Sequence, residues 1–396
     1  MTRGRFRLGV DGRAFSSPAG GVRRYVWEIY GALAGVAPDV DVIAIGARPG
    51  EPLPPGVTPY PARAFPTNLG WMALSIPLAV RHARLDAFHA PAYTAPLWGV
   101  HPQAVTIHDV SPVRKPEWDA YKNDAARRFF YRRSALAADR VLTDSDFSRT
   151  EIIAAYDIPA DRIDVVPLAA AEVFTPGPFD PSRLPAGVTQ PYALHVGDLQ
   201  IRRNLSTALD AVLAKRSEDR GRRSEVGDRG SGIGDQGSGI GITTNQLAFV
   251  CAGVDRGVGE DLRGRAAAGR DPGALILTGP VSEDVLVNLY RGASMLLYPS
   301  LYEGFGLPVL EAMRCGVPVI AANCASVPEI VGDAGILLDP LDVPAWQAAI
   351  ARVLTDASLA DRLREAGLAR AAQFSWTTTA RQTLDVLRKC AAGSRK

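Results

Sequence analysis

Two doubly wound, Rossmann-like α/β domains in succession are the fold class this sequence predicts, and three observations carry it. Short runs rich in Val, Ile, Leu and Phe alternate with longer stretches of helical period through both halves, the pattern of parallel strands joined by crossover helices. The alternation is interrupted by a Pro/Gly-rich stretch near the middle and then begins afresh. A chain of 396 residues also exceeds what one average core holds, and two domains are the simplest division.

In the first half the expected strands are 7–10, 40–45, 87–89, 104–107, 140–143 and 163–166. The stretch from Phe174 to Gly187 carries prolines and glycines that remove both helix and ladder options, so it reads as a linker. The division is thus 1–174, a linker over 175–190, and 191–373, with a final helix over 374–396 capped by Ser375 and packing on one of the domains. Strands of the second half are expected at 193–196, 247–252, 274–277, 295–298, 319–321 and 335–338. Residues 216–245 contain an imperfect heptad, Gly-Asp-Arg-Gly-Ser-Gly-Ile then Gly-Asp-Gln-Gly-Ser-Gly-Ile, and too little apolar surface to offset the entropy of ordering. They are expected to be a disordered surface insertion, dispensable for function.

With 44 basic and 42 acidic residues the formal charge is +2, which gives no global case for nucleic acid as a partner. No apolar run is long enough to span a bilayer, and residues 1–10 lack the features of a signal peptide, so a cytoplasmic protein is expected. Cys251, Cys315, Cys324 and Cys390 form no C-x-x-C pair and sit in apolar runs, as reduced buried thiols do.

The segment with the most chemistry is Tyr298-Pro-Ser-Leu-Tyr-Glu-Gly-Phe-Gly-Leu-Pro-Val-Leu-Glu311, where a strand empties into a Gly-flanked turn and then a helix. Gly304 and Gly306 let backbone N–H groups approach a ligand, Pro308 suits a helix first turn, and the helix N-terminus suits a diphosphate. Glu303 and Glu311, separated by seven residues, can face one crevice and accept from vicinal hydroxyls of a sugar or ribose. Ordinary helix-start chemistry explains the same residues taken alone. Gly20 and Gly21 follow the first strand, where they either admit a phosphate or make a tight turn. His108 and Asp109 close a strand at its carboxyl edge, where open α/β sheets bind ligands, or His108 is structural. Gly197 ends the first strand of the second half, and Arg202 and Arg203 follow it as either a metal-free diphosphate clamp or a solvated face.

Taken together, Gly-Gly-x-x-x-Tyr25, Phe88-His-Ala-Pro91, Thr106-Ile-His-Asp109, Asp144-Ser-Asp-Phe-Ser-Arg149, Val165-Val-Pro167, Arg202-Arg-Asn-Leu205 and Tyr302-Glu-Gly-Phe-Gly-Leu-Pro-Val-Leu-Glu-Ala-Met313 resemble the retaining glycosyltransferases of family 4 over nearly the whole chain. The resemblance implies the GT-B architecture, two Rossmann-like domains facing across a cleft, with donor bound by the C-terminal domain and acceptor by the N-terminal one. It implies that Glu303 contacts donor-sugar hydroxyls and Glu311 the ribose, and that Gly304, Phe305, Gly306 and Leu307 present the turn to sugar and phosphates. Gly253, Gly279 and Val281 would line the base pocket. Arg203 stands where the family usually has Lys, and Asp198 where it often has Thr or Arg; an acid beside a diphosphate would have to point away. Ser326-Val-Pro-Glu329 matches a family turn and is equally a structural cap.

The chemistry so implied moves a hexose from a nucleoside diphosphate to an acceptor hydroxyl with retention, without cofactor or divalent metal. Arg202, Arg203 and the helix N-terminus would stabilise the leaving diphosphate. His108 would orient the donor sugar, with Asp109 fixing its tautomer. The closest resemblance is to mannosyl- and rhamnosyltransferase-like members of bacterial surface polysaccharide synthesis, which suggests GDP-mannose and a glycan or lipid-linked acceptor. A peripheral contact with the inner membrane would then involve Arg114, Lys115, Lys122, Arg127, Arg128, Arg132 and Arg133 with Trp118, Phe129, Phe130 and Tyr131, unless that helix turns its aromatics inward. A nucleotide-sugar epimerase and a noncatalytic nucleotide-sugar-binding protein are the rival readings. A dehydrogenase is excluded, since no strand leads into G-x-G-x-x-G with a following acid.

Overall fold

A computed structural model of the chain describes residues 5–393 except 19, 64, 66, 119–123 and 228–246. It divides into two compact units, Met1–Ala169 with Phe374–Lys396, and Ala170–Gln373. The first holds seven strands: β1 (Phe6–Asp11), β2 (Val40–Ile45), β3 (Val57–Tyr60), β4 (Ala87–Ala90), β5 (Gln103–Thr106), β6 (Arg140–Thr143) and β7 (Ile163–Val165). Their order is β3-β2-β1-β4-β5-β6-β7. All neighbours pair in parallel. Every residue of β4 and β5 is buried, which is why the sequence there reads as continuous runs rather than as alternation. The edge strand β3 is absent from the sequence-based expectation because it carries Pro59 and only one aliphatic residue, a composition that only an edge tolerates.

The second unit holds β8 (Tyr192–Val196), β9 (Ala248–Ala252), β10 (Leu275–Gly279), β11 (Met295–Tyr298), β12 (Val319–Ala322) and β13 (Ile336–Leu338), in the order β10-β9-β8-β11-β12-β13. Its core packs Phe249, Leu297 and Ile320 of the sheet against Leu209 and the wholly buried Trp346 and Ile350. In each sheet the order reverses at one place, between β1 and β4 and between β8 and β11. A ligand crevice is expected at the carboxyl ends of those strands.

Two expectations are revised. The stretch read as a linker runs along the second unit: Phe174 is wholly buried with its ring edge-on to Tyr290, and Asp180 and Asn288 exchange two hydrogen bonds of 2.9 Å. Residues 216–227 are not disordered, because the helix Leu205–Gly227 continues through them. Arg216 anchors that helix with bonds of 2.7 and 2.9 Å to buried Asp271 and one of 2.9 Å to the Leu247 carbonyl. Residues 228–245 of the expected insertion lie outside the described residues. The last helix, Trp376–Gly393, belongs to the first unit, with the Thr379 hydroxyl donating to the Pro167 carbonyl at 2.7 Å and Arg388 pairing with Asp39 at 2.6 Å. No described helix is long and apolar enough to cross a membrane.

Candidate functional site

In the second unit, β11 ends at Tyr298 and the chain turns through Glu303 to Gly306, which caps the helix Leu307–Arg314. Gly306 has φ 115°, a conformation that side-chain-bearing residues rarely adopt, and Pro308 occupies the helix's first turn. β8 leads into the short 3-10 turn Ile201–Arg203. The Leu301 N–H donates to the Arg202 carbonyl at 2.8 Å and ties this turn to the loop after β11. The strand order therefore brings Arg202, Arg203 and Glu303 to one switch point although they lie a hundred residues apart.

Arg203 is buried, as is Glu303. Its Nη1 is paired with Glu303 Oε1 and donates to the Tyr298 hydroxyl at 2.5 Å, while its guanidinium lies 5.5 Å from the Tyr298 ring centre. Burial pulls the Arg203 pKa below its ordinary value against the opposing pull of Tyr298. Its Nε is buried without a hydrogen-bond partner. Arg202 Nη1 donates to the Tyr302 carbonyl at 3.0 Å and stands 3.9 Å from Glu303 Oε2. Two cations thus flank one carboxylate, and the solvated-face reading does not describe Arg203.

The loop carrying Glu303, Gly304 and Phe305 is pinned by the turn that follows β12. The wholly buried Ser326 hydroxyl lies 3.0 Å from the Glu303 carbonyl and 2.8 Å from the Phe305 carbonyl, and the Cys324 thiol lies 3.3 Å from the Ser300 carbonyl. Glu311 is buried in the helix and accepts from the Tyr290 hydroxyl at 2.8 Å. Gly306 and half-buried Leu307 lie between the two glutamates. Gly197, Gly253 and Gly279 mark the carboxyl ends of β8, β9 and β10: the Gly253 N–H donates to the Gly279 carbonyl at 3.0 Å, and a Cβ on Gly253 would sit 2.0 Å from the Gly197 oxygen. Val281 follows two residues after Gly279 and is half-buried. Asp198 is held by Arg256 at 3.0 Å in a mostly exposed pair.

The first unit holds the other candidates. Gly20 and Gly21 begin the helix Gly20–Val36, and a Cβ on either would meet nothing within 4 Å, so they are open rather than part of a tight turn. His108 lies two residues beyond β5. Its Nδ1 is 2.8 Å from Asp144 Oδ2, its ring stands edge-on to Tyr25 at 4.7 Å, and its Nε2 is buried without a hydrogen-bond partner. Burial opposes charge on His108, but buried Asp144 outweighs it by Coulombic attraction and hydrogen bonding, with Asp109 and the Pro91 carbonyl adding to it. The imidazole pKa is raised. Burial likewise raises Asp144 against the pull of His108.

The tautomer of His108 is therefore fixed by Asp144, not by Asp109 as the sequence suggested. Asp109 instead accepts from the Ser111 N–H at 3.0 Å and the Ser111 hydroxyl at 2.9 Å, because the chain turns into a helix immediately after it. Asp144 sits one residue past β6, and that strand-end position beside the His108 strand was the available signal. His89, by contrast, is structural: burial lowers its pKa to about 3, and its nitrogens bridge the Tyr30 hydroxyl at 2.6 Å and the Thr106 hydroxyl at 2.8 Å. Asp11 ends β1 at the switch point and accepts from Arg13 at 2.7 Å, a pair that the sequence reading did not single out.

In the proposed membrane helix, Ala125–Ala137, the aromatics divide. Phe129 is exposed, whereas Tyr131 stacks on Tyr93 with ring centres 5.0 Å apart. Arg114 pairs with Glu151 at 3.1 Å, Lys115 lies over Trp118, and Lys122 is outside the described residues.

Two family models match the chain, "Glycosyltransferase Family 4" over residues 19–170 and "Glycosyl transferases group 1" over 241–356. The O-antigen chain mannosyltransferase B of Escherichia coli is 34% identical over 318 residues, covering 78% of this chain and 75% of that protein. The chain belongs to glycosyltransferase family 4. A second relative of this family 4 glycosyltransferase, the serotype-specific mannosyltransferase WbdA of Escherichia coli, is 27% identical over 75% of this chain, which spans about a third (35%) of WbdA. The crystal structure of Anabaena HepE in complex with UDP-glucose matches with a TM-score of 0.64 at 18% identity, covering 97% of this chain and 99% of that one. The fold is that of GT-B glycosyltransferases, two parallel-sheet α/β domains.

Proposed function

We propose that this glycosyltransferase moves a hexose, mannose from GDP-mannose in the first instance, to a glycan or lipid-linked acceptor of bacterial surface polysaccharide, with retention and without a divalent metal. The observation that carries the reading is the buried Arg203–Glu303 pair with Arg202 beside it at the β8/β11 switch point. The two arginines and the N-terminus of the helix Leu307–Arg314 oppose the charge that develops on a leaving diphosphate. Glu303 is oriented by Arg203 through one oxygen, leaving the other for a donor-sugar hydroxyl; Glu311 is assigned to the ribose and His108 Nε2 to the donor sugar.

In the step proposed, the bond from the anomeric carbon to the phosphate oxygen breaks and the acceptor oxygen bonds to that carbon on the same face. The acceptor proton passes to the leaving phosphate. No carboxylate need become covalently attached, and a glycosyl ester trapped on Glu303 or Asp109 would overturn this front-face route in favour of double displacement. That relatives are named mannosyltransferases supports the sugar; Anabaena HepE with bound UDP-glucose supports a nucleotide-sugar donor.

The test is incubation with GDP-mannose and a mannoside acceptor, with and without EDTA, reading the product's anomeric configuration by NMR. An α-linked product made equally in EDTA is expected. A β-linked product sinks retention, loss of activity in EDTA sinks metal independence, and a changed donor sugar formed without acceptor supports the epimerase.

A further inference from the structure

Glu311 lies on the helix Leu307–Arg314, and its carboxylate is reached from a different helix, Glu283–Gly292, by Tyr290. The Tyr290 hydroxyl donates to Glu311 Oε2 at 2.8 Å and lies 3.3 Å from the Pro308 carbonyl, one turn earlier on the Glu311 helix. A hydroxyl has a single proton to give, and the nearer, charged acceptor takes it. Burial, and after it the Glu311 charge, raise the Tyr290 pKa well above its ordinary value, so that proton stays on the tyrosine.

The Tyr290 ring is held in turn. It is wholly buried, with the Phe174 ring edge-on to it at 5.6 Å between centres. Phe174 stands on the stretch that runs along this unit, and that stretch is tied to both helices. Arg314 Nε donates to the Phe174 carbonyl at 3.1 Å and Arg291 Nε to the Thr175 carbonyl at 3.0 Å. The hydroxyl that meets Glu311 therefore comes from a packed wall, whereas a glutamate side chain by itself has many rotamers to lose. A carboxylate aimed in advance loses little freedom when a ligand binds. One that has lost its aiming partner must be ordered during binding, which is worth about two- to tenfold in affinity.

We propose that Tyr290 is a positioning residue for Glu311: its hydroxyl fixes the carboxylate before the donor arrives and so sets how strongly the site prefers a nucleotide with ribose hydroxyls over one without them. The inference rests on the assignment of Glu311 to the ribose made above. Tyr290 acts through Glu311, and Phe174 acts through the Tyr290 ring.

The test is calorimetric binding of GDP, UDP and their 2′,3′-dideoxy counterparts to the whole protein, in the wild type, Tyr290→Phe and Tyr192→Phe. Tyr192 is the control, because its buried hydroxyl donates at 2.7 Å to the Leu289 carbonyl, on the same helix as Tyr290, and not to Glu311. The wild type is expected to bind the preferred diphosphate at least about tenfold more tightly than its dideoxy form, as hydrogen bonds to a carboxylate provide. In Tyr290→Phe that ratio falls by about two- to tenfold, with the dideoxy form bound as in the wild type. Tyr192→Phe lowers Tm and keeps the ratio. Glu311→Gln lowers the ratio as well, and adding Tyr290→Phe to it changes the ratio no further. A ratio unchanged in Tyr290→Phe, lowered as much in Tyr192→Phe, or lowered additively in the double variant overturns the proposal while the ribose reading stands. A wild type that binds neither diphosphate, or binds the ribose and dideoxyribose forms alike, sinks that reading and the proposal with it.

Discussion

Replacing Asp144 by Asn removes the charge that holds His108 while keeping a side chain of the same shape, whose amide oxygen can still accept from Nδ1. A hydrogen bond to a charged group contributes about 1.5–3 kcal/mol, and about 1.4 kcal/mol corresponds to one pH unit. The His108 pKa is therefore expected to fall, because the strongest of the interactions that raise it is gone and only Asp109 and the Pro91 carbonyl remain to oppose burial. NMR titration of labelled imidazoles reads this directly. Of the chain's five histidines, His89 and His195 are held near 3 by burial and stay neutral above pH 5, and a His108→Gln control assigns the signal in question.

The sign of the stability effect is also fixed. A histidine whose folded pKa is raised stabilises fully below the unfolded value of about 6.5, and that stability is lost as pH rises through the folded pKa. Groups facing His108 include Asp144, Asp109, Tyr25 and Tyr93, and Asp144 supplies the dominant attraction. Thermal stability of the wild type should accordingly carry a decline above pH 6.5 that Asp144→Asn lacks. The pH profile of kcat should move with the titration. An unchanged His108 pKa in Asp144→Asn would refute the dyad.

Three further outcomes are expected. Arg203→Ala leaves Glu303 buried beside only the more distant Arg202 and should destabilise the second unit by about 3–5 kcal/mol in urea unfolding. Adding Glu303→Gln should recover most of that stability but not donor binding, and a double variant as unstable as Arg203→Ala would show the pair to be energetically irrelevant. Ser326→Ala frees the carbonyls of Glu303 and Phe305 from their anchor and should raise the donor KM several-fold with a stability loss of about 1 kcal/mol; an unchanged KM would show the loop to be held by other means. Gly253→Ala places a methyl against the Gly197 oxygen and should cost about 1–3 kcal/mol, read as a lowered Tm, whereas a neutral result would mean the β8 and β9 ends yield easily.

Much of the fold was legible because parallel strands buried on both faces read as apolar runs: β2, β6 and β11 occupy the expected residues, and most other strands differ by one or two at an end. Legibility failed where burial is partial or the evidence is not local. β3 is an edge, and Lys215 and Arg216 extend a helix through a charged stretch because Asp271, far off in sequence, receives the guanidinium. The motif around Glu303 announced itself through its glycines. What the sequence left undetermined was pairing: nothing local says that Arg203 meets Glu303, that Asp144 rather than adjacent Asp109 holds His108, or that Ser326 anchors the loop. Adjacency misled at Asp109 because a residue at a helix start uses its carboxylate on its own backbone.

The central claim is that the second unit binds a nucleoside-diphosphate sugar through the cluster around Glu303 and Glu311. It is tested most directly by thermal shift of the full chain against GDP-, UDP-, ADP- and dTDP-sugars with and without EDTA, comparing wild type with Glu311→Ala. A stabilisation by one nucleotide sugar that survives EDTA and disappears in the variant is predicted. A shift that Glu311→Ala retains in full, or no shift with any of the four in a folded wild type, contradicts the account.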